Sequence, residues 1–357
     1  MASAYLQRIA TAVPDYDIHE GFVEFAAGML DDPRARSIFH RLAAKSDIRH
    51  RYSCLAREHD PTAFSADAMT FYGSGISRST AERMRVFERC APQLARRALD
   101  RLALSEAERG RIRHVLVTCC TGFYAPGIDF DIIDHLGLPA STERSFLGFM
   151  GCYAAINALK LARHIVRSQP ESAVLMVNLE LCTLHFHQTQ ELTEALAFLL
   201  FGDGCSAALI GSEPAGFEMD SFHALRIENA RDLITWRIGD LGFDMFLSTQ
   251  VPNQISKAMR ENAAAVTHEN GLAHSIDLWA VHPGGRAILD AVEDGLDLAP
   301  DALAPSRCIL SRFGNMSSAS VMFVLQQLMK EARAGQHGCA ISFGPGLTAE
   351  IMRFHAA

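Results

Sequence analysis

Apolar and polar positions along the chain fall into two alternating rhythms. Short β-branched runs such as Arg113-His114-Val115-Leu116-Val117-Thr118-Cys119 and Ser172-Ala173-Val174-Leu175-Met176-Val177 predict buried strands. Three further runs of the same kind are Ser206-Ala207-Ala208-Leu209-Ile210, Asp277-Leu278-Trp279-Ala280-Val281 and Gly338-Cys339-Ala340-Ile341-Ser342-Phe343. Between them, apolar residues recur at helical spacing, as at 155, 158, 159, 162, 165 and 166, which predicts a helix over 152–168. Helices are also expected over 20–52, 80–110 (one or two), 191–200, 253–270, 285–296 and 317–333, and a loop over 121–127. Strands alternating with helices predict an α/β fold with mostly parallel sheets covered on both faces. No internal repeat and no low-complexity linker interrupts the pattern, so the two halves are expected to form one compact unit.

Composition narrows the class. The 357 residues are long for one simple domain and suit two fused units or a duplicated fold. Apolar residues make up 49% and charged residues 21%, which supports a large core and argues against a disordered chain. The net charge of −8 gives no basic footprint for nucleic acid. No long uncharged apolar run predicts a membrane span, and the N-terminus lacks the basic start and apolar stretch of a signal peptide. A cytoplasmic location is therefore expected, and nine cysteines without a CxxC pair then point to reduced thiols.

Three residues in glycine-rich turns carry candidate chemistry. Cys152 follows Gly148 and Gly151 at the start of a helix, whose positive N-terminal end favours a thiolate, with a pKa expected to fall to roughly 3.5–7.5. Such a sulfur accepts an acyl group and holds it as a thioester. His282 ends a strand before Pro283-Gly284-Gly285, where an imidazole can hydrogen-bond a thiolate or a thioester carbonyl. Asn315, after Gly314, offers an amide NH₂ that stabilises an enolate or oxyanion without taking its proton. Each has a plainer reading: a buried helix cysteine, a satisfied histidine, an N-cap asparagine. For Asn315, capping and facing the cleft are expected to exclude one another. No metal is expected: His185 and His187 share a strand face, but no third ligand stands nearby. Phe201-Gly202-Asp203-Gly204 lacks the glycine pattern of a dinucleotide site. Arg41 and Lys45 share a helix face and could hold a phosphate or simply be solvated.

Five segments in order then carry a resemblance: Gly151-Cys152, Phe201 to Gly204, Val281 to Asp290, Leu310 to Ser318 and Phe343 to Glu350. The chain resembles the type III polyketide synthases, the chalcone synthase-like branch of the thiolase superfamily, from about Val13 to Met352. The resemblance implies a thiolase-like, duplicated αβαβα five-layer fold, with an N-terminal half over 1–211 bearing Cys152 and a C-terminal half over 212–357 bearing His282 and Asn315. It implies a homodimer that loads a starter acyl-CoA, extends it with malonyl-CoA and cyclises the product, with no cofactor beyond the coenzyme A thioesters. Cys152 would carry the acyl group, and His282 and Asn315 would polarise the malonyl thioester and stabilise the enolate. Phe201 matches a gate phenylalanine, and Arg41 and Lys45 match residues that hold CoA phosphates.

Departures from the pattern bear on specificity. Met245 stands for a second gate phenylalanine, Trp236 for a small cavity glycine, and His185 and Cys120 for pocket threonines, while Ser317 joins the pocket beside Asn315. Ala125 replaces a methionine that reaches across the dimer. Tryptophan in place of glycine implies a cavity too small for a bulky coumaroyl starter; a small or alkyl resorcinol, pyrone, phloroglucinol or naphthalene product is open. The alternative is a ketoacyl-ACP synthase III-like enzyme, which usually carries His-Gln-Ala-Asn where this chain has His282-Pro283-Gly284-Gly285.

Overall fold

The computed structural model describes residues 2–56, 66–67, 71–72, 77–269, 272–273 and 276–357. Apart from two-residue pairings, its strands are β1 (Tyr5–Ala12), β2 (Ile112–Cys119), β3 (Glu143–Gly148), β4 (Ala173–Leu181), β5 (Asp203–Gly211), β6 (Phe217–Arg226), β7 (Ile234–Gly239), β8 (Gly242–Leu247), β9 (Leu278–Val281), β10 (His337–Gly344) and β11 (Thr348–Ala356). Nine of them form one sheet in the order β9-β10-β11-β6-β1-β5-β4-β2-β3, and β7 and β8 make a separate hairpin.

The order contains a duplication. In the first half β2 pairs parallel with β4, β4 antiparallel with β5, and β5 antiparallel with β1. In the second half β9 pairs parallel with β10, β10 antiparallel with β11, and β11 antiparallel with β6. The halves meet where Tyr5 and Leu6 of β1 pair with Glu218 and Phe217 of β6.

Alternation along the strands builds the layers. Val115 and Val117 join a cluster with the outer helix Thr80–Leu102, whereas Leu116 faces the central helices Ala154–Ser168 and Ser320–Glu331. In the second half Trp279, Val281, Cys339 and Ile341 pack against the outer helices Val251–Glu261 and Arg286–Gly295, whereas Ala280 and Ala340 face the same central helices. Outer helix, first half of the sheet, central helices, second half of the sheet and outer helices make the thiolase-like αβαβα arrangement. The helix Ala154–Ser168 is lined with Ala155, Ala158 and Ala162, small enough for sheets on both sides. Its buried Ile156, Leu159 and Val166 contribute roughly 5–9 kcal/mol of apolar burial before chain entropy is counted.

Several expectations change here. The sheet is mixed rather than mostly parallel: only β2–β3, β2–β4 and β9–β10 are parallel pairs. Strand β11 returns antiparallel to β10 through residues 345–347, and β1 and β6 pair with their neighbours only in antiparallel sense, so none of these pairings needs a crossover helix. Their interleaved polar residues (Gln7 and Arg8, Glu218 and Asp220, Glu350 and Arg353) masked them as strands. The helix expected over 20–52 is two, His19–Met29 and Pro33–Ala44, because Asp32 caps a new start at the Arg34 N–H and Pro33 fills the first helical position. The helix expected over 253–270 is Val251–Glu261 followed by Ala263–Thr267, and residue 270 lies outside the described residues. Helices Ile128–Leu136 and Ala304–Phe313 were not expected. Among the described residues no helix is long and apolar enough to cross a membrane.

Candidate active site

Cys152 sits between the end of β3 and the helix Ala154–Ser168. Gly151 turns the chain with φ +83, and a Cβ there would stand 2.2 Å from Pro345 Cδ, so only glycine passes this point without a shift. His282 follows β9 directly, with its N–H on the Ile341 carbonyl at 2.8 Å. Asn315 follows Gly314 and leads into the short turn Ser317–Ala319 and the helix Ser320–Glu331. Ser317 itself is held at φ +46, a left-handed conformation uncommon for a serine.

These elements converge on one cavity of about 70 Å³, lined by Cys152, His282 and Asn315 together with Phe201, Met245, Trp236, Cys120 and Ser317. The Cys152 thiol points at Ser317 Oγ, 3.7 Å away. Its lining is mostly apolar, and burial controls the ionisation. Burial pushes the Cys152 thiol up to about 12, against smaller lowering contributions from the Ser317 hydroxyl and the Asn315 amide. The expected depressed thiolate is therefore not the resting form: desolvation, with the Glu180 charge, outweighs the hydrogen bonds that favour it. Burial likewise lowers the His282 imidazole to about 3, and neither of its ring nitrogens has a hydrogen-bond partner among the described residues. At rest the cavity is lined by a thiol and a neutral imidazole, and neither imidazole nitrogen hydrogen-bonds to the thiol or to any other described residue.

Asn315 serves two purposes, contrary to expectation. Its Oδ1 accepts the Ser317 N–H at 2.8 Å, as a cap would, while Nδ2 reaches the Gly284 carbonyl at 3.3 Å and contributes to holding the Cys152 sulfur. An amide has two donors besides its acceptor, so capping leaves an N–H for the cavity.

The pocket residues divide. Trp236 stands opposite Met245 on the β7–β8 hairpin, and its indole N–H donates to the Cys120 carbonyl at 2.8 Å. The indole is thus pinned against the cavity wall. Cys120 Sγ accepts the Gly151 N–H at 2.9 Å. His185 departs from expectation: it is fully buried and absent from the lining. Its Nε2 donates to the Thr121 carbonyl at 2.6 Å, its Nδ1 accepts the Phe243 N–H at 3.1 Å, and its ring stacks on Phe243 at 4.1 Å. Those bonds turn it away from the cavity, and burial keeps it neutral, lowered to about 3. Arg41 and Lys45 are exposed at the end of the helix Pro33–Ala44. Arg286, not singled out from sequence, joins them: its Nη1 reaches the Lys45 carbonyl at 3.4 Å. It stands two residues beyond Gly284, which lines the cavity.

Glu180 was also missed. It is fully buried at the end of β4, accepting from the Cys120 N–H at 2.9 Å, the Thr121 hydroxyl at 2.8 Å and the Ser318 hydroxyl at 2.5 Å. Burial raises its carboxyl to about 7 despite these donors. The signal was available: a lone carboxylate inside an apolar strand. It braces the Cys120–Thr121 wall from behind, as Trp236 and His185 brace it through its carbonyls.

Comparison with known proteins agrees with this geometry. Residues 3–214 match the family described as chalcone and stilbene synthases, N-terminal domain, and residues 221–357 match the C-terminal domain of the same family. The chain is 34% identical to the alpha-pyrone synthesis polyketide synthase-like Pks18 of Mycobacterium tuberculosis, over 98% of this chain and 91% of that protein. The structure of PKS-I from the brown alga Ectocarpus siliculosus superposes with a TM-score of 0.88 at 29% identity, covering 100% of this chain and 99% of that one. The C-terminal type III polyketide synthase domain of Steely1 from Dictyostelium has the same fold, with a TM-score of 0.90 at 24% identity and 99% of each chain covered. The chain belongs to the chalcone and stilbene synthase family, and is a type III polyketide synthase, an acyltransferase that performs decarboxylative condensation.

Proposed function

We propose that Cys152 carries the acyl chain and that His282 and Asn315 carry out the malonyl-CoA decarboxylation that supplies its carbon nucleophile. The observation that carries this reading is the convergence of all three on one small, largely apolar cavity. In the loading step the sulfur attacks the starter thioester, its proton passes to the neutral His282 imidazole, and coenzyme A leaves as the thiol. The separate ionisations are each disfavoured by burial, but formed together the two charges face one another. In extension, the His282 and Asn315 N–H groups hold the malonyl thioester oxygen as CO₂ departs, and the enolate carbon attacks the Cys152 thioester, expelling the Cys152 sulfur as thiolate and leaving the extended chain on coenzyme A.

Phe201 stands at the mouth as a gate, with Met245 and Trp236 setting the width beyond it. The pinned Trp236 favours small or flexible aliphatic starters over a coumaroyl group, and a resorcinol, pyrone, phloroglucinol or naphthalene product. The Pks18 likeness favours the pyrone among these. Arg41, Lys45 and Arg286 are assigned to the CoA phosphates at the entrance. No redox or metal cofactor is required, since the thioester itself takes up the carbanion's electrons.

Residues 1–211 and 212–357 are assigned as the two halves, on the strength of the repeated strand order. We assign a homodimer through the edge strand β3 and the exposed Phe130, Phe146 and Met150 near Ala125. The nine free cysteines and the CoA substrates favour a reducing, cytosolic setting. The test is incubation with malonyl-CoA and a panel of acyl-CoAs followed by mass spectrometry. Polyketide products from free malonyl-CoA support the reading; a requirement for a carrier protein favours the ketoacyl-ACP synthase alternative.

A further inference from the structure

A second and larger cavity, of about 300 Å³, lies under the helix His19–Met29, at the lower end of the size of small-molecule sites. Its walls are chiefly aromatic and aliphatic, among them Phe22, Phe25, Leu55 and Phe186. Cys182, Phe198 and Phe201 line both this cavity and the one at Cys152, so the two are separated by a wall one side chain thick.

Arg51 lies in this apolar wall and is 1% exposed. Its Nε donates to His19 Nδ1 at 3.1 Å, and its Nη1 donates to the carbonyls of Phe198 at 3.1 Å and Phe201 at 2.6 Å. Its Nη2 has no hydrogen-bond partner among the described residues. Arg51 makes no ion pair among them either, although acids are close. Asp17 spends its oxygens on the His19 and Arg51 backbone N–H groups and on His50, and Asp203 spends its own on Cys54 and Thr183. The Phe22 ring, 4.5 Å from the guanidinium carbon, compensates the charge only in part. A buried cation that touches two carbonyls and a neutral imidazole, with both Nη2 N–H groups left over, matches an incoming anion. Burial lowers the Arg51 guanidinium to about 9, which leaves it charged at neutral pH.

We propose that this cavity is a second binding site, for a carboxylic acid with an apolar body whose carboxylate pairs with Arg51. The body lies along Phe25, Leu55 and Phe186, and Phe22 moves aside to open Nη2. Because the same guanidinium holds the Phe198 and Phe201 carbonyls, the bound acid braces the gate from behind. A carboxylate is favoured over a neutral acceptor because the missing partner is a charge, not only a hydrogen bond. This assignment does not depend on the role of Cys152, and it is read by binding rather than turnover.

Calorimetric titration of the full chain with decanoate and with 1-decanol tests it. Decanoate is expected to saturate one site and to bind at least about ten-fold more tightly than the alcohol, as a charge-assisted pair requires. Gly21→Phe fills the cavity from a helix position where phenylalanine has the better helix propensity, and it is expected to weaken both ligands by about ten-fold or more. Arg51→Gln is expected to bring acid and alcohol to equal affinity. Should that variant fail to fold, the acid–alcohol comparison on the unaltered chain decides the carboxylate without it. Absence of saturable decanoate binding, equal affinity for acid and alcohol in the unaltered chain, or binding indifferent to Gly21→Phe would each overturn the proposal.

Discussion

Phe201 and Asn315 are tied through the backbone: the Gly202 N–H donates to the Asn315 carbonyl at 2.9 Å, and the Asn315 N–H donates to the Leu200 carbonyl at 2.8 Å. Two residues that line the cavity are therefore fixed relative to one another by main chain. Asn315→Asp keeps this bridge and the bond to the Ser317 N–H but replaces the cavity-facing donors with an acceptor. Malonyl-CoA decarboxylation by the variant is expected to fall about 10²–10³-fold, the usual cost of one oxyanion donor. A loss smaller than about three-fold, with the fold intact by circular dichroism, removes Asn315 from the reaction.

Separating the two half-reactions isolates Cys152. Cys152→Ala is expected to abolish polyketide formation while slow malonyl-CoA decarboxylation continues. Since burial lowers His282 to about 3, that residual rate should vary little, about two-fold or less, between pH 5 and pH 8. An acid limb centred near 6.5, the ordinary histidine value, would show that His282 is solvated in the working enzyme.

Under the proposed function Trp236 limits the starter. Trp236→Gly removes the indole and its bond to the Cys120 carbonyl, enlarging the cavity on the hairpin side. Acceptance of larger acyl-CoAs is expected, together with a stability loss of about 2–4 kcal/mol, below the full cost of truncating a buried tryptophan because this one is half-buried. An unchanged profile across an acyl-CoA series would mean that the indole does not bound the starter.

Glu180 gives a pH signature in stability. Its folded carboxyl titrates at about 7, above the 4.5 of an exposed glutamate, so the native state holds a proton that the unfolded chain has released. Its contribution is undiminished below about pH 4.5, is lost progressively as pH rises to about 7, and stays lost above that. The total is roughly 2–4 kcal/mol, at about 1.4 kcal/mol per unit. Glu180→Gln removes this dependence. Chemical denaturation of both proteins at pH 5 and pH 8 should show a smaller fall for the variant; equal falls would mean that Glu180 is solvated.

The candidate trio was legible because Cys152, His282 and Asn315 each sit in a turn that glycine marks in the sequence, and the fold brings all three to one cavity. The alternating strands and helices likewise announced a layered α/β fold. What was not legible came from long-range packing. The resting protonation of Cys152 depends on an apolar enclosure assembled from distant segments, which local helix-end reasoning cannot see. His185 was assigned to the lining from its place in the chain, yet Thr121 and Phe243 capture both its nitrogens. Strands β1, β6 and β11 lack a clean period because polar residues interleave with their buried ones. Arg51, Glu180 and Arg286 act through neighbours far away in sequence, and only Glu180, a lone carboxylate inside an apolar strand, carried a hint.

The covalent role of Cys152 is tested most directly by mass spectrometry of the protein after brief exposure to an acyl-CoA starter. A single acyl adduct on the peptide containing Cys152, absent from Cys152→Ala, is the predicted result. Products formed without that adduct, or with the acyl group on another of the nine cysteines, would contradict it.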